Sequence, residues 1–178
     1  MLKITTVASR IGDVYTVSMS IMSKISDRSV PKTKNIVPVT YGYATILVVF
    51  AVAQILTFGD FHELIDSFWL PGGASLAYFL AGFIIIAEIF ALPFLLQLRV
   101  SPFIRYSSRV LSWVVPLFWI SISLWLMSTI NAVTNVGFVG TVVKLMPGWW
   151  AVFFSIALGI LAVWSSWGLS PVTKNRKK

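Results

Sequence analysis

Glu88 is the residue of this sequence whose chemistry is most sharply defined, because it is a lone carboxyl inside a long apolar stretch. An ionisable side chain at that depth in a bilayer is costly, and it usually faces a bundle interior, a cavity or a partner. The apolar stretches contain no Lys, Arg or His, so we expect a protonated carboxyl that forms hydrogen bonds. Two roles stay open: a bond that joins helices, and proton transfer or ligand binding.

Candidate neighbours of Glu88 follow from the rise of an α-helix. The carboxyl lies about ten residues, or roughly 15 Å, from the inner end of its stretch. The other three stretches carry an amide, an indole, hydroxyls and a glycine near the same depth. These candidates are Gln54, Trp119, Ser121, Ser123 and Gly159.

A second polar cluster, residues 59–66, contains the single histidine of the chain. His62 and Asp66 are four residues apart and would share a helix face, an arrangement that can hold a divalent cation. One histidine with nearby carboxylates is a pattern of low specificity, so we predict no metal. The apolar residues around them favour a turn or short segment that lies at the membrane interface.

Two prolines lie within apolar stretches. Pro93 and Pro116 each remove one helical hydrogen bond and free the carbonyl four residues earlier, at Ile89 and Ser112. We predict a helix kink at each proline. A hydroxyl from a neighbouring helix can satisfy such a carbonyl, so the prolines alone do not indicate a gate.

Composition defines the environment of these residues. The 178-residue chain is 57% hydrophobic and 11% charged, with a mean hydropathy of +0.86, whereas a soluble domain carries about 25% charged residues. Four apolar stretches are each long enough to cross the hydrocarbon as a helix. The sequence therefore predicts an all-α polytopic membrane protein, with a transmembrane four-helix bundle over 39–170. The predicted spans are 39–58, 74–98, 110–130 and 149–169.

Charge predicts the orientation of the spans. All but one of the 14 Lys and Arg residues lie before the first span, between the second and third, or after the fourth. Positive charges in short loops are retained in the cytoplasm, so we predict a plasma (inner) membrane protein with both termini inside. The basic residues flank spans instead of lining one water-facing surface, so nucleic acid is not an expected partner.

The segments outside the spans have separate predicted roles. Apolar residues at helical spacing in 1–30 predict an amphipathic helix in the inner interface, which either anchors beside anionic lipids or docks a partner. Residues 31–38, with two prolines and two lysines, are the predicted linker, and 171–178 form a basic cytoplasmic tail. The chain contains no cysteine and no soluble-enzyme motif, so the sequence requires no cofactor.

The stretch from Gln54 to Trp125 resembles the DoxX and MauE group of small four-span bacterial membrane proteins. The matching order is a span that ends at a Phe-rich segment (58–64, FGDFHEL), a Pro-Gly turn, a span that contains 87–92 (AEIFAL), a basic loop and an aromatic third span. Glu88 is the residue that falls on a position characteristic of that group.

The resemblance implies a membrane subunit or accessory factor of a quinone-linked redox or maturation system, beside partner subunits. Two departures speak against thiol-based maturation: cysteine is absent, and Pro93 and bulky residues replace the Gly-rich run after the glutamate. Our leading hypothesis is a non-catalytic accessory protein that holds a quinone or lipid-like molecule near Glu88 and associates with a membrane protein or a second copy. The alternatives are a small proton-coupled transporter or channel subunit, and a structural scaffold.

Overall fold

The computed structural model describes residues 35–129 and 133–169. The predicted helix over 1–30, the first part of the predicted linker and the predicted tail lie outside these residues. Within them the structure is all-helical, and the four long helices are long and apolar enough to cross a membrane. The predicted fold class is confirmed: the chain is a multi-pass membrane protein with a four-helix bundle. The helices are α1 (Ile36–Leu56), α2 (Phe58–Asp66), α3 (Gly73–Leu95), α4 (Pro102–Ser128) and α5 (Trp149–Gly168).

The helix bounds differ from the predicted spans where caps and prolines act. α1 begins at Ile36 instead of residue 39, because Pro38 falls in the first turn, where a backbone N–H has no helical partner to lose. α4 begins at Pro102 instead of residue 110. The Ser101 side chain caps it by accepting a hydrogen bond from the backbone N–H of Ile104 at 3.3 Å. The predicted basic loop is therefore shorter, and Arg105 lies within α4.

The four long helices form a ring in which α1 and α4 each pack against α3 and α5. Small side chains lie at the contacts, as the spacing of alanines and serines in the sequence indicates. The outward-facing side chains are mainly apolar, and this surface contacts the lipid. The fully buried small residues include Ala77, Ala81, Ala87, Ala91, Ala151 and Ser155.

Hydrogen bonds to α4 show that the helices alternate in direction. As the residue number rises along α4, the partner number falls on α3 and α5. On α1, Tyr43 bonds at the level of Ser112, and Gln54 shares Glu88 with Trp119, so the residue number rises in the same direction as on α4. We call the end where α1 begins the terminal end, and the opposite end, where α1 ends, the loop end. The bonds pair Ser108 with Ala91 and Phe94, Tyr43 with Ser112, Trp113 with Ser166, Trp119 with Glu88, and Ser123 with Ser155.

The short helix α2 lies at the loop end and packs on α3. Its apolar residues Phe61 and Ile65, and Phe68 just after it, are fully buried. The Trp125 indole of α4 donates a hydrogen bond to the Phe68 carbonyl at 2.9 Å. The apolar side of this segment therefore contacts protein, and its position at the membrane interface stays a prediction.

The loop between α4 and α5 also folds against the loop end of the bundle. The buried side chain of Asn135 joins its parts: Asn135 Oδ1 accepts hydrogen bonds from the backbone N–H groups of Gly137 and Leu145. The Asn135 amide nitrogen donates to the Gly140 carbonyl at 3.0 Å. These bonds give residues 133–148, the α4–α5 loop, a defined shape without a helix or strand.

Candidate functional site

Glu88 is fully buried on α3 and receives hydrogen bonds from two other helices. Its Oε1 lies 3.3 Å from Gln54 Nε2 on α1 and 3.3 Å from Trp119 Nε1 on α4. Both groups are N–H donors, so both donate to the same carboxyl oxygen. The structure thus brings Gln54 and Trp119 to Glu88, as their predicted depth indicates.

The other three predicted neighbours have other partners. Ser121 lies on an exposed face and donates to the Leu117 carbonyl of its own helix. Ser123 Oγ lies 3.3 Å from Ser155 Oγ, about one turn beyond Trp119. Gly159 faces α4, where an added Cβ would contact Ile120 and Pro116 at 3.9 and 4.0 Å. Helix rise predicts the level of a residue but not the direction in which its side chain points.

Phe138 of the α4–α5 loop is the site residue that sequence reasoning missed. Gln54 Nε2 donates a second hydrogen bond to the Phe138 carbonyl oxygen at 3.0 Å. The Phe138 ring is 1% exposed and lies among four aromatic rings. We call these rings the aromatic cage. Their centroids lie 4.7 Å (Trp119), 5.2 Å (Phe154), 5.8 Å (Phe50) and 5.9 Å (Trp150) from that of Phe138.

Two buried oxygen atoms at this site have no hydrogen-bond partner among the described residues: Glu88 Oε2 and Gln54 Oε1. Both donors to Glu88 are uncharged, which suits a protonated acid better than a carboxylate. In a protonated Glu88, Oε1 is the carbonyl oxygen that accepts two bonds and Oε2 carries the proton. The site then has one unused hydrogen-bond donor, Glu88 Oε2, and one unused acceptor, Gln54 Oε1. An unsatisfied buried group costs about 1–3 kcal/mol, so this pair is a candidate ligand contact.

Hydroxyl groups, by contrast, bond to the backbone near both prolines. The Ser112 carbonyl, freed by Pro116, accepts a hydrogen bond from the Tyr43 hydroxyl at 2.8 Å. Next to Pro93, Ser108 Oγ accepts from the Phe94 N–H at 2.9 Å and donates to the Ala91 carbonyl at 3.0 Å. A neighbouring hydroxyl thus satisfies the carbonyl freed by Pro116, which is the alternative to a gate raised above. At Pro93 the hydroxyl bonds to adjacent backbone groups and not to the freed Ile89 carbonyl.

Comparison with protein-family models, with curated proteins and with solved structures gives no significant match. The resemblance to the DoxX and MauE group therefore stays a prediction from the sequence pattern.

The His62 cluster lies on α2, away from Glu88. His62 Nδ1 lies 3.1 Å from the Phe58 carbonyl oxygen, and the imidazole packs edge-on against Tyr78 with ring centroids 5.4 Å apart. Asp66, at the end of the helix, is exposed. In residues 35–129 and 133–169, no group of three or more metal-ligand side chains is placed to hold a metal ion. His62 is therefore a packed side chain with local partners.

Proposed function

We propose that this chain is an integral membrane subunit or accessory protein that binds a quinone, or another neutral lipid-like molecule with a carbonyl group, at Glu88. The observation that carries the proposal is Glu88 Oε2, which is buried without a partner while Oε1 accepts two bonds. A protonated carboxyl donates to a carbonyl oxygen. The DoxX-like order of spans supports a quinone as the ligand and a membrane protein or a second copy as the partner.

A neutral ligand fits this site better than an ion does. The groups that contact Glu88 are an amide and an indole, and the surrounding rings are aromatic. A charged ligand in such an interior would lose its hydration without gaining a counter-ion. Ring faces and one directed hydrogen bond are instead the usual contacts of an apolar pocket that orients a small molecule.

The proposed orientation puts the terminal end of the bundle in the cytoplasm of a cell with a plasma (inner) membrane. Arg99, Arg105 and Arg109 lie at that end, where α3 ends and α4 begins. The loop end carries Lys144 with the acidic residues of the segment 60–66. This asymmetry supports a cytoplasmic terminal end and an outward-facing α4–α5 loop.

The test is the quinone content of gently purified protein, measured by native mass spectrometry and solvent extraction. Glu88→Gln keeps an N–H donor in place of the acid O–H, so the variant retains the ligand at the wild-type level. Glu88→Leu removes the donor, and retention falls roughly tenfold or more, as expected for one lost buried hydrogen bond. Glu63→Gln is the matched control, because this carboxyl is exposed on α2.

The same variants separate the two other hypotheses. A proton-coupled transporter loses proton flux in liposomes when Glu88→Gln removes the titrating group, whereas a neutral binding site tolerates that change. A scaffold assembles normally with Glu88→Leu and contains no specific ligand. Wild-type quinone content in the Glu88→Leu protein would refute the proposed role of the carboxyl.

A further inference from the structure

The α4–α5 loop brings a planar ring and a carbonyl oxygen to the same place in the bundle. The ring of Phe138 fills the aromatic cage, and its backbone carbonyl accepts the hydrogen bond from Gln54 Nε2 at 3.0 Å. The same Gln54 nitrogen donates to Glu88 at 3.3 Å. The protein therefore places next to its buried acid a group with two features, a flat ring and a carbonyl acceptor.

We propose that the α4–α5 loop is an internal plug, in which Phe138 occupies the position of a ring-bearing carbonyl ligand beside Gln54 and Glu88. The ligand binds from the loop end by displacing Phe138 from the aromatic cage. This inference rests on the proposed function and deepens it, because it specifies a planar ring with a carbonyl group and the side from which the ligand arrives.

Hydrogen bonds within the loop hold its two sides together independently of the bundle. Asn135 ties its two sides together through Gly137, Gly140 and Leu145, and the Val136 N–H donates to the Leu145 carbonyl at 2.8 Å. These bonds lie within the loop and persist when it leaves the bundle. Its polar attachments to α1 are the Gln54 bond to Phe138 and a 3.2 Å bond from the Thr141 N–H to Thr57 Oγ1. A ring-bearing carbonyl ligand replaces the first of these bonds and the contacts with the cage rings, which lowers the free-energy cost of displacement.

Gly140 offers a way to unseat the plug without touching the cage. Its φ of +58° lies in the left-handed region, and an added Cβ would clash with Thr57 Oγ1 and lie 3.1 Å from the Ala53 carbonyl oxygen and 3.2 Å from Gln54 Cα. Gly140→Ala therefore pushes the loop away from α1. Gly59→Ala is the matched control, because an added Cβ at Gly59 has no neighbour within 4 Å.

The first experiment titrates the purified protein with a short-chain ubiquinone and follows quenching of tryptophan fluorescence. If the plug competes with the ligand, Gly140→Ala raises the affinity roughly tenfold, since the binding-competent fraction increases. Gly59→Ala binds as the wild type does. An unchanged or weaker affinity in the Gly140→Ala protein would overturn the plug, whereas loss of binding in Glu88→Leu tests the proposed function separately.

The second experiment uses the absence of cysteine from the chain. Val136→Cys places a thiol at a fully buried loop position, and Val142→Cys places one where the side chain is 59% exposed. The ubiquinone ring has no free position for thiol addition, so labelling with a membrane-impermeant maleimide reports access alone. Ubiquinone should accelerate labelling of the Val136→Cys protein several-fold and leave that of Val142→Cys unchanged.

The outcomes distinguish the two proposals. Quinone binding that depends on Glu88 but does not accelerate labelling of the Val136→Cys protein leaves the proposed function standing and refutes the plug. No binding in the wild type or in Gly140→Ala refutes both. Acceleration that disappears when Glu88→Leu is added supports both, because it links displacement of the loop to the buried acid.

Discussion

Around Pro93 and Pro116, hydroxyl groups bond to the backbone near the prolines, whereas around Glu88 one carboxyl oxygen and one amide oxygen have no partner among the described residues. Ser108 uses its hydroxyl twice, and Tyr43 uses its own on the Ser112 carbonyl. We call this the proline layer, and the group of Gln54, Glu88, Trp119 and Phe138 the glutamate layer. The two layers lie in one interior, with α1, α3 and α4 contributing to both. A shared apolar surrounding therefore does not explain why the oxygens of one layer are unpaired.

Polar groups around the prolines bond to the backbone and serve the fold, whereas the unpaired oxygens around Glu88 are the ones proposed to bind a ligand. A membrane interior tolerates a backbone break when a hydroxyl satisfies it, so the Ser112 carbonyl needs no further explanation. A buried acid with an unused oxygen costs free energy in the absence of a ligand, and sites of binding are where such a cost is tolerated. Substitutions in the two layers should therefore have different consequences.

The largest effect is expected in the glutamate layer, from Phe138→Ala. Removal of a buried aromatic ring lowers the free energy of unfolding by about 3 kcal/mol. If Phe138 is a plug, added ubiquinone restores part of this loss, because the ligand fills the cage. Thermal unfolding with and without ubiquinone measures both the loss of stability and the part that the ligand restores. Phe153→Ala, at a 65% exposed position, is the control. If ubiquinone stabilised the two variants equally, the claim that it fills the space left by Phe138 would be wrong.

A smaller effect is expected in the proline layer, from Ser108→Ala. The substitution leaves the Phe94 N–H and the Ala91 carbonyl without their hydroxyl partner, and it costs about 2 kcal/mol. Unfolding in a mixed-micelle titration measures the loss, and quinone binding stays at the wild-type level. Ser121→Ala is the matched control, since that hydroxyl is exposed and bonds only to its own helix. A large change in quinone affinity in the Ser108→Ala protein would show that the proline layer also contributes to ligand binding.

The smallest effect is expected from Tyr43→Phe, which removes one hydroxyl and leaves the ring. The Ser112 carbonyl loses its partner next to Pro116, and the free energy of unfolding falls by about 1 kcal/mol. Tyr41→Phe, on an exposed face of the same helix, should change it far less. If Tyr43→Phe instead reduced quinone retention as strongly as Glu88→Leu, the proline layer would be part of the binding site.

Much of the glutamate layer could be predicted from the sequence because its chemistry is rare in lipid. A lone glutamate in an apolar stretch marks Glu88, and helix rise places Gln54 and Trp119 near its level. The same argument failed for Ser121, because two residues along a helix turn a side chain to nearly the opposite face. Hydropathy placed all four spans, while caps such as Ser101 decided their ends.

Phe138 could not be predicted, because nothing periodic places a loop residue inside a bundle. The local signal is the segment 135–140 (NVGFVG), in which Asn135 bonds to the backbone and two glycines adopt positive φ. Such a pattern predicts a tight turn. The position of the Phe138 ring depends on tertiary contacts with three helices, through Phe50, Trp119 and Phe154. No local sequence pattern encodes those contacts.

The most direct test of the central claim is the infrared difference spectrum between wild type and Glu88→Gln at neutral pH, recorded with and without ubiquinone. A neutral Glu88 with an unused donor predicts a protonated-carboxyl band that is absent from the variant. The band should shift to lower frequency when Oε2 donates to the quinone. A carboxylate signal at neutral pH, or a carboxyl band that does not respond to bound quinone, would contradict a neutral Glu88 that donates to the ligand.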